Sequence, residues 1–327
     1  MSRKLCLIIP TKDRPKAIEA YLASQAEIAE KLHVDIIIQD SSTEAETQRI
    51  VQTWQKKSTG CIKYVRYEEK SEANAIDDKV KAICCMTAQE YDYLSFSSDG
   101  TIIQLDRLLA RAGRHMEQNA ELIVNGAVDI EHQDDFIVDT PECLLEKCMW
   151  RMLSLSSTIV SSELMRACLE YDRTHMQAIQ DLWIPTVYFR VFEMRKRIRS
   201  IYLYVPEAIV INPHLQVSFW QTQGLALWQW GERWCEVIDS LPSKYDAVKD
   251  TALRSHDRYC HVFSPLNMIR MRAYGNLSME DIRRHLGYIP RVTNTPIWVF
   301  WLTAVLIRPR FARTLKIIRR RVKEKDK

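Results

Sequence analysis

The sequence predicts an α/β fold, in which helices flank a sheet, and its amino-terminal residues carry most of that prediction. Residues 4–10 (KLCLIIP) form one short apolar run, and residues 34–38 (VDIII) form a second. Between the two runs, the apolar residues of segment 17–22 recur with the period of a helix. Two buried strands joined by a helix describe a βαβ unit, which is the building block of a parallel sheet.

Polar turns follow both predicted strands. Residues 11–15 (TKDRP) come after the first strand, and residues 40–43 (DSST) come after the second. Ligands of open α/β sheets bind at the carboxyl ends of the strands. The two turns are therefore the first candidates for a binding site.

The same residues resemble glycosyltransferase family 2. Residues 8–15 (IIPTKDRP) are similar to the IIPTYNRP opening of that family, and residues 36–43 (IIIQDSST) are similar to its second strand and turn. The resemblance implies a GT-A-like fold, with a Rossmann-type mixed sheet flanked by helices and a helical carboxyl-terminal extension. It also implies that the turns hold the nucleotide of an activated sugar. The residues that it assigns to the nucleotide are Pro10, Thr11, Arg14, Asp40, Ser41 and Asp77.

Two of these aspartates have a second interpretation. The resemblance implies that Asp40 accepts a hydrogen bond from the base, typically from the imide of uracil. The Asp-Ser-Ser-Thr run before Glu44 is, however, also typical of a helix N-cap. Asp77 lies with Asp78 on a predicted helix over residues 72–86, and such a pair is often the solvated face of a helix.

Asp99 follows another apolar strand, within residues 91–103 (YDYLSFSSDGTII). The family carries two or three acidic residues at this turn, and they hold Mn²⁺ or Mg²⁺. Such a metal neutralises the charge that develops on a diphosphate leaving group. The resemblance implies Asp99 as the metal ligand. Because it is the only acidic residue left, a weak metal site, a metal-independent enzyme and an inactive protein all stay open.

The predicted catalytic base is Asp181, because residues 178–183 (AIQDLW) resemble the ED-W signature of the family. An inverting transferase needs one carboxylate to take the proton from the attacking hydroxyl. Asp172 is the weaker alternative, and an exposed Asp at the start of a helix is the other interpretation of Asp181. His214 and Arg197 follow as candidates to contact the diphosphate.

The charge is unevenly distributed along the chain. Residues 308–327 contain ten Lys or Arg and two acidic residues, whereas the whole chain carries a net charge of +4. The remainder is therefore acidic, and it shows no nucleic-acid-reading motif, so no nucleic-acid partner is expected. Nine scattered cysteines without a Cys-x-x-Cys pair suit a reducing compartment.

The carboxyl-terminal residues predict contact with a membrane. The apolar run 297–307 is roughly 17 Å long as a helix, too short for a hydrocarbon core of roughly 30 Å. From residue 311 onward the apolar positions form one stripe on an otherwise basic helix, which is typical of a helix lying on an anionic surface. The alternative is a helix docked on the protein with a frayed tail. Since residues 5–9 are too few for a signal peptide, we expect a cytoplasmic protein, peripheral on the inner face of the membrane.

These patterns predict three segments and one activity. The segments are a nucleotide-sugar and acceptor domain (1–214), a helical extension (215–295) and a membrane-associating segment (296–327). The expected activity is inverting transfer of a sugar, from a UDP-sugar above other nucleotide donors, to a glycan or lipid-linked glycan in cell-surface polysaccharide assembly. One alternative is a catalytically inactive binding or scaffold protein at the membrane. The other is a nucleotidyltransferase, against which the lack of a Gly-rich, Lys-containing loop after the first strand argues.

Overall fold

The computed structural model describes residues 4–69, 75–127, 132–175, 183–214, 226–275 and 277–307. They fall into two compact units, divided between residues 216 and 217. The first unit is an α/β unit built around one large sheet. The secondary-structure elements described in the second unit are all helices.

The strands of the first unit form a mixed sheet of eight strands and a separate two-stranded ribbon. In chain order the strands are β1 (Leu5–Thr11), β2 (Asp35–Asp40), β3 (Ile62–Arg66), β4 (Tyr93–Phe96), β5 (Thr101–Ile103), β6 (Leu122–Asn125), β7 (Phe136–Val138), β8 (Thr158–Ser161), β9 (Ser200–Leu203) and β10 (Ile209–Ile211). The order in the large sheet is β3-β2-β1-β4-β8-β6-β9-β7, and β5 pairs with β10. Strands β8 and β7 run antiparallel to their neighbours, and the other pairings in the large sheet are parallel.

Helices connect these strands. They are α1 (Pro15–Lys31), α2 (Glu46–Lys57), α3 (Ala75–Thr87), α4 (Leu105–Glu117), α5 (Pro141–Met152), α6 (Ser162–His175) and α7 (Trp183–Val191). A short 3-10 turn, Leu155–Ser157, leads into β8. The predicted α/β fold with a mixed sheet and flanking helices is confirmed.

The first βαβ unit follows the sequence closely. All seven residues of β1 are buried, because the strand lies between β2 and β4. Helix α1 buries the apolar face that its period predicted, including Ile18, Tyr21 and Leu22. Pro15 begins the helix, where a missing N–H costs nothing. These contacts fix where β1 ends, and therefore where the loop at residues 11–14 lies.

Residues 129–142 are rich in acidic side chains, as a surface loop would be, yet their described part contains a strand. Residues 128–131 lie outside the described part of the chain, but Phe136–Val138 forms β7 and pairs antiparallel with β9. Strand β7 is the last strand of the sheet, and its Ile137 is largely exposed. Such a short edge strand carries too few apolar residues to be recognised against its acidic flanks.

The second unit contains a helix of π type and six α-helices among its described residues. The π-helix is Trp228–Arg233, and the α-helices are α8 (Trp234–Asp239), α9 (Asp246–Cys260), α10 (Pro265–Tyr274), α11 (Met279–Arg284), α12 (Ile289–Val292) and α13 (Ile297–Leu306). Trp234 is fully buried and donates a hydrogen bond to the Leu253 carbonyl (3.0 Å). Trp230 stacks on the buried His256 with ring centroids 3.9 Å apart. Both tryptophans belong to the core of this unit, with other buried side chains such as Phe263 and Phe300.

Within the described residues, no helix has both the length and the apolar character needed to cross a membrane. The apolar run that begins at residue 297 forms the short helix α13. The basic, amphipathic helix expected from residue 311 onward lies outside the described residues.

Gly126 tests the packing at the end of β6. A Cβ atom at this position would overlap the Tyr202 hydroxyl, and the Tyr202 ring stacks on Phe136 with centroids 4.5 Å apart. We expect Gly126→Ala to lower the free energy of unfolding by about 1–3 kcal/mol, measured by urea denaturation. The matched control is Gly113→Ala in α4, where nothing lies within 4 Å of the new Cβ. That change should raise the free energy by about 0.5–1 kcal/mol, because alanine favours a helix. Equal changes in the free energy of unfolding for the two variants would contradict the close contact between Gly126 and Tyr202.

Candidate functional site

The candidate site lies at one edge of the large sheet. Because β1, β2, β4 and β6 are parallel, their carboxyl ends meet at this edge, and the antiparallel β8 begins there. The polar residues that these ends bring to the edge are Thr11, Asp40, Ser97, Asn125 and Ser156. This is the edge at which open α/β sheets bind their ligands.

The two turns predicted from the sequence are joined to each other. Asp13 adopts a left-handed conformation (φ 53°), and its carboxylate accepts a hydrogen bond from the Thr43 N–H (2.9 Å). The Asp13 N–H in turn donates to the Ser42 hydroxyl (2.8 Å). The Ser41 N–H donates to the Thr11 carbonyl (3.1 Å), which continues the strand pairing into the loops. The turns after β1 and β2 thus form one surface.

Lys79 of α3 is buried behind the two turns and bonds to both of them. Lys79 was not among the site residues predicted from the sequence. Its side chain is buried (3% exposed), and its ammonium donates to the Thr11 carbonyl (2.5 Å) and to the Ser41 hydroxyl (2.8 Å). Burial lowers the pKa of Lys79 to about 8, against the opposing charges of Asp40, Glu69 and Asp99. The helical period could have indicated its burial, because Lys79 lies four residues before the core residue Ile83 and therefore on the same face of α3.

Glu69 closes the outer side of the same network and was also missed. Its carboxylate accepts hydrogen bonds from the Ser41 hydroxyl (2.8 Å) and the Lys12 ammonium (2.6 Å). Burial raises the pKa of Glu69, but the hydrogen bonds from Lys12 and Ser41 and the charge of Lys12 bring it below its ordinary value. Glu69 therefore stays ionised at neutral pH. Its contact partners come from both turns.

Asp40 is fully buried and makes local contacts. One carboxylate oxygen accepts from the N–H (2.9 Å) and the hydroxyl (2.5 Å) of Ser42, and the other accepts from the Tyr64 hydroxyl (2.9 Å). Helix α2 begins at Glu46 without a side-chain cap, so the N-cap interpretation of Asp40 is wrong. The reason is that the polar run is long enough to close its own turn before the helix begins. A base that bonds to Asp40 would have to share or replace the Tyr64 contact.

Asp99 is also engaged by the protein. Its side chain accepts a hydrogen bond from the Thr11 hydroxyl (2.8 Å) on one oxygen and pairs with the Arg14 guanidinium (2.6 Å) on the other. The Asp99 carbonyl accepts from the side-chain amide of Asn212 (3.1 Å). The loop after β4 is thereby fixed to the loop after β1 and to the residue that follows β10.

These contacts bear on the expected divalent metal. The described residues contain no group of three His, Cys, Asp or Glu side chains that could hold a metal ion. Asp99 is a single carboxylate, and a cationic donor already occupies one of its oxygens. A divalent cation is normally held by several oxygen ligands, of which carboxylates supply the negative charge. In this arrangement the residues around Asp99 do not fit such a cation.

Hydroxyl groups lie where acidic residues were expected. The Ser98 and Thr101 hydroxyls are 2.9 Å apart, and the Thr101 and Ser156 hydroxyls are 2.6 Å apart. Nearby at the same edge, the side-chain nitrogen of Asn125 and the hydroxyl of Ser157 are buried and have no hydrogen-bond partner among the described residues. Neutral donors and acceptors of this kind suit the hydroxyl groups of a sugar.

Of the remaining predicted residues, two are buried in secondary structure and one is exposed beside the Asp99 loop. Pro10 is buried inside β1, opposite Gln39 of β2. Asp77 is buried in the first turn of α3, so the solvated-face interpretation does not hold for it. His214 is exposed. Its backbone N–H donates to the side-chain oxygen of Asn212 (3.0 Å), and this bond keeps His214 next to the Asp99 loop.

Arg197 lies away from the ligand edge of the sheet. Arg197 is exposed and precedes β9, whose amino end lies at the opposite edge of the sheet because β9 is parallel to β6. A residue before a parallel strand cannot reach the ligand edge, so the structure removes Arg197 from the candidates. Asp181 lies outside the described residues.

Solved structures of glycosyltransferases share this fold. A crystal structure of S. aureus TarS 1-349 matches with a TM-score of 0.55 and 14% identity, covering 92% of this chain and 81% of that one. The same TarS portion in complex with UDP-GlcNAc matches at 0.54 and 15% identity, covering 97% and 92%. The mannosyltransferase PcManGT from Pyrobaculum calidifontis, in complex with GDP-Man and Mn²⁺, matches at 0.50 and 12% identity, covering 94% and 87%. The chain spans about half (53%) of a longer TarS structure.

No protein-family model matches the sequence, and no curated protein matches it. The structural likenesses confirm the predicted GT-A-like fold with a helical carboxyl-terminal region. At identities of 12–15%, these similarities show only the fold. Membership of glycosyltransferase family 2 stays a prediction.

The ion pair between Arg14 and Asp99 can be tested by a double-mutant cycle. Asp99→Asn keeps an acceptor for Thr11 but removes the charge, and Arg14→Met removes the partner. We expect each change to lower the free energy of unfolding in urea, with a coupling of about 1–2 kcal/mol because the pair is mostly buried. Effects that add without coupling would mean that the pair does not hold the loops together.

Proposed function

We propose that the protein is a glycosyltransferase that takes its sugar from a nucleotide-diphosphate donor, with a UDP-sugar as the favoured donor. The observation that carries the proposal is the single polar surface formed at the ligand edge of a GT-A-like sheet by the loops after β1 and β2. The fold is shared with glycosyltransferase structures solved in complex with UDP-GlcNAc and with GDP-Man. The sequence of the same two loops resembles the nucleotide-binding turns of family 2.

In this proposal the residues of the joined turns bind the nucleotide. Thr11, Ser41 and Asp40 lie where the base and ribose would bind, with Lys79 beneath them. Arg14 borders this surface and supplies positive charge for the diphosphate. A cationic side chain can stabilise charge that develops on a leaving phosphate, as a metal ion does elsewhere. His214, held beside the Asp99 loop, is a second candidate for this contact.

The chemical step needs a base for the acceptor hydroxyl. Asp181 is the proposed base: it takes the proton as the hydroxyl oxygen attacks the anomeric carbon and the bond to the diphosphate breaks. Attack from the face opposite the leaving group inverts the configuration. Asp172 is disfavoured because its carboxylate pairs with the Lys81 ammonium (3.2 Å), on helices α6 and α3.

The proposed acceptor is a glycan or lipid-linked glycan used in cell-surface polysaccharide assembly. This part of the proposal is supported by the sequence of the carboxyl-terminal segment, in which an apolar run precedes ten basic residues. Such a segment favours a peripheral position on the cytoplasmic face of a membrane, where lipid-linked acceptors are found.

A second candidate function is a nucleotide-binding protein without transfer activity. The observation that favours it is the engagement of both Asp99 oxygens at the turn where the family carries several acidic residues. The two functions differ in turnover and agree in nucleotide binding.

A nucleotide screen tests the site. UDP, GDP, CDP and dTDP are added to the protein in thermal unfolding, in the presence of EDTA or of Mn²⁺. We expect UDP to raise the midpoint by about 3 °C at saturating concentration, and to do so equally in EDTA because Arg14 and Lys79 supply the charge. Ser41→Ala should reduce the shift, whereas Ser58→Ala, in the loop before β3, should not. A strict requirement for Mn²⁺ would overturn the metal-free site, and no shift with any nucleotide would overturn the nucleotide site.

Turnover then separates the two candidate functions. UDP release from UDP-sugars is measured with membrane lipid extract as the acceptor source. Asp181→Asn should abolish release and keep the thermal shift by UDP. Binding without release in the unaltered protein would favour the inactive binding protein.

The depressed pKa of Lys79 gives the nucleotide site a pH dependence. The ammonium loses its charge as the pH rises through about 8, so the attraction for an anionic nucleotide falls. We expect the affinity for UDP to decrease by about tenfold between about pH 7 and about pH 9, measured by calorimetry. Lys79→Arg keeps its charge over this range and is the control, which should show little change. An equal decline in both proteins would place the titrating group elsewhere.

A further inference from the structure

The second unit contains an open cleft of about 440 Å³, which shares no lining residue with the proposed nucleotide site. It lies between the carboxyl-terminal end of α9 and the amino-terminal ends of α10 and α13. No step of the proposed glycosyl transfer uses it. Its lining residues belong to three helices and the segments between them, so its shape depends on the packing of this unit alone.

The lining of the cleft is positively charged. Arg254, Arg258 and His261 come from α9 and its end, and Arg254 is held in place by the side chain of Asn294 (2.7 Å). Asp257 is the one acidic residue among the lining residues. Its two carboxylate oxygens accept hydrogen bonds from the Phe263 N–H (2.6 Å) and the Thr293 hydroxyl (2.5 Å). The fold thus holds Asp257 in place, and the two arginines against this one carboxylate leave the lining with a net positive charge.

Two helices also begin at the cleft. Pro265 is the first residue of α10 and Pro296 precedes α13, and both line the cleft. The amino-terminal end of a helix carries a partial positive charge and favours an anion. This effect adds to the charge of the arginines. Together they make the cleft a binding place for a compact anion such as a phosphate group.

An apolar ridge lies along the helix that borders the cleft. On α13, the side chains of Trp298, Leu302, Val305 and Leu306 are 59%, 45%, 60% and 69% exposed, with a spacing that places them on one face. The opposite face of α13 is buried through Phe300, Thr303 and Ala304. Leu266 in the first turn of the neighbouring α10 is also exposed. We call the four exposed side chains of α13 the α13 ridge.

The cleft and the α13 ridge together fit one kind of ligand. A soluble protein rarely leaves such a row of large apolar side chains in water without a partner. A membrane lipid with an anionic headgroup offers a phosphate for the cleft and hydrocarbon for the ridge. A tryptophan at the end of such a ridge suits the boundary between headgroups and acyl chains. The basic residues that follow in the sequence, from 308 onward, carry the charge that an anionic surface attracts.

We propose that the second unit docks on an anionic membrane, with the α13 ridge inserted among the lipids and a lipid phosphate bound in the cleft by Arg254 and Arg258. The charge complementarity between the cleft and the phosphate selects a lipid over a second protein as the occupant. The cleft and the α13 ridge would be the surface through which the proposed membrane association takes place. This docking does not depend on the nucleotide site, so either can fail alone.

Vesicle sedimentation of the full chain tests this docking surface. The vesicles are phosphatidylcholine alone or phosphatidylcholine with roughly 30% phosphatidylglycerol, which gives an anionic surface. We expect binding to the anionic vesicles only. The double change Trp298→Ser and Leu302→Ser, and the single change Arg258→Glu, should each weaken it by about tenfold. Lys31→Glu, the same charge change on an exposed lysine of α1, is the control and should lose much less. An unchanged midpoint of cooperative thermal unfolding, without any ligand, shows that each variant is folded.

Four outcomes would overturn the docking surface. Equal binding of all variants would mean that the basic tail binds alone, and equal binding to neutral vesicles would mean that the cleft takes no part. Stabilisation of the protein by inorganic phosphate without vesicle binding would make the cleft a site for a free anion. A dimer in sedimentation velocity that the Trp298→Ser and Leu302→Ser change dissociates would make the ridge an interface between two copies.

Discussion

The buried ammonium of Lys79 is the contact on which the candidate site depends. It joins the carbonyl of Thr11 to the hydroxyl of Ser41, and so ties the loop after β1 to the loop after β2. Burying an ammonium is costly unless its hydrogen bonds are met and opposite charges lie near. Here the network that includes Glu69 and Asp40 supplies those charges. Burial lowers the pKa of Lys79 to about 8 although these charges oppose the shift, so the shape of the site is linked to its charge.

The pairing of Asp99 with Arg14 changes how the proposed chemistry handles charge. In the family that the sequence resembles, several acidic residues at this turn hold a metal ion that faces the diphosphate. Here the residues beside Asp99 are hydroxyls, and the single carboxylate orients an arginine and a threonine of the first loop. A guanidinium presents several donors in a fixed plane and suits a phosphate well. In the proposed function, Arg14 is therefore the side chain that faces the diphosphate beside Asp99.

The sequence predicted the parts of the fold that local patterns determine. The apolar runs of β1 and β2 and the period of α1 were sufficient, because both faces of a central strand and one face of a helix must be apolar. The partners of Lys79 and Asp99 could not be predicted. Arg14 and Asp99 are 85 residues apart in the chain, and only the sheet order brings them together. The sequence also could not place Arg197 at the far edge, because that depends on the direction of β9.

Hydrogen exchange of the full chain with and without UDP tests the central claim most directly. The joined turns and the turn at Asp99 should be the parts of the chain where amides become protected, because the nucleotide is proposed to cover all three. The helices of the second unit should exchange equally in both states. Protection that appears elsewhere while residues 11–14 and 40–43 stay unchanged would contradict the account, since these residues form the surface on which the nucleotide is proposed to bind.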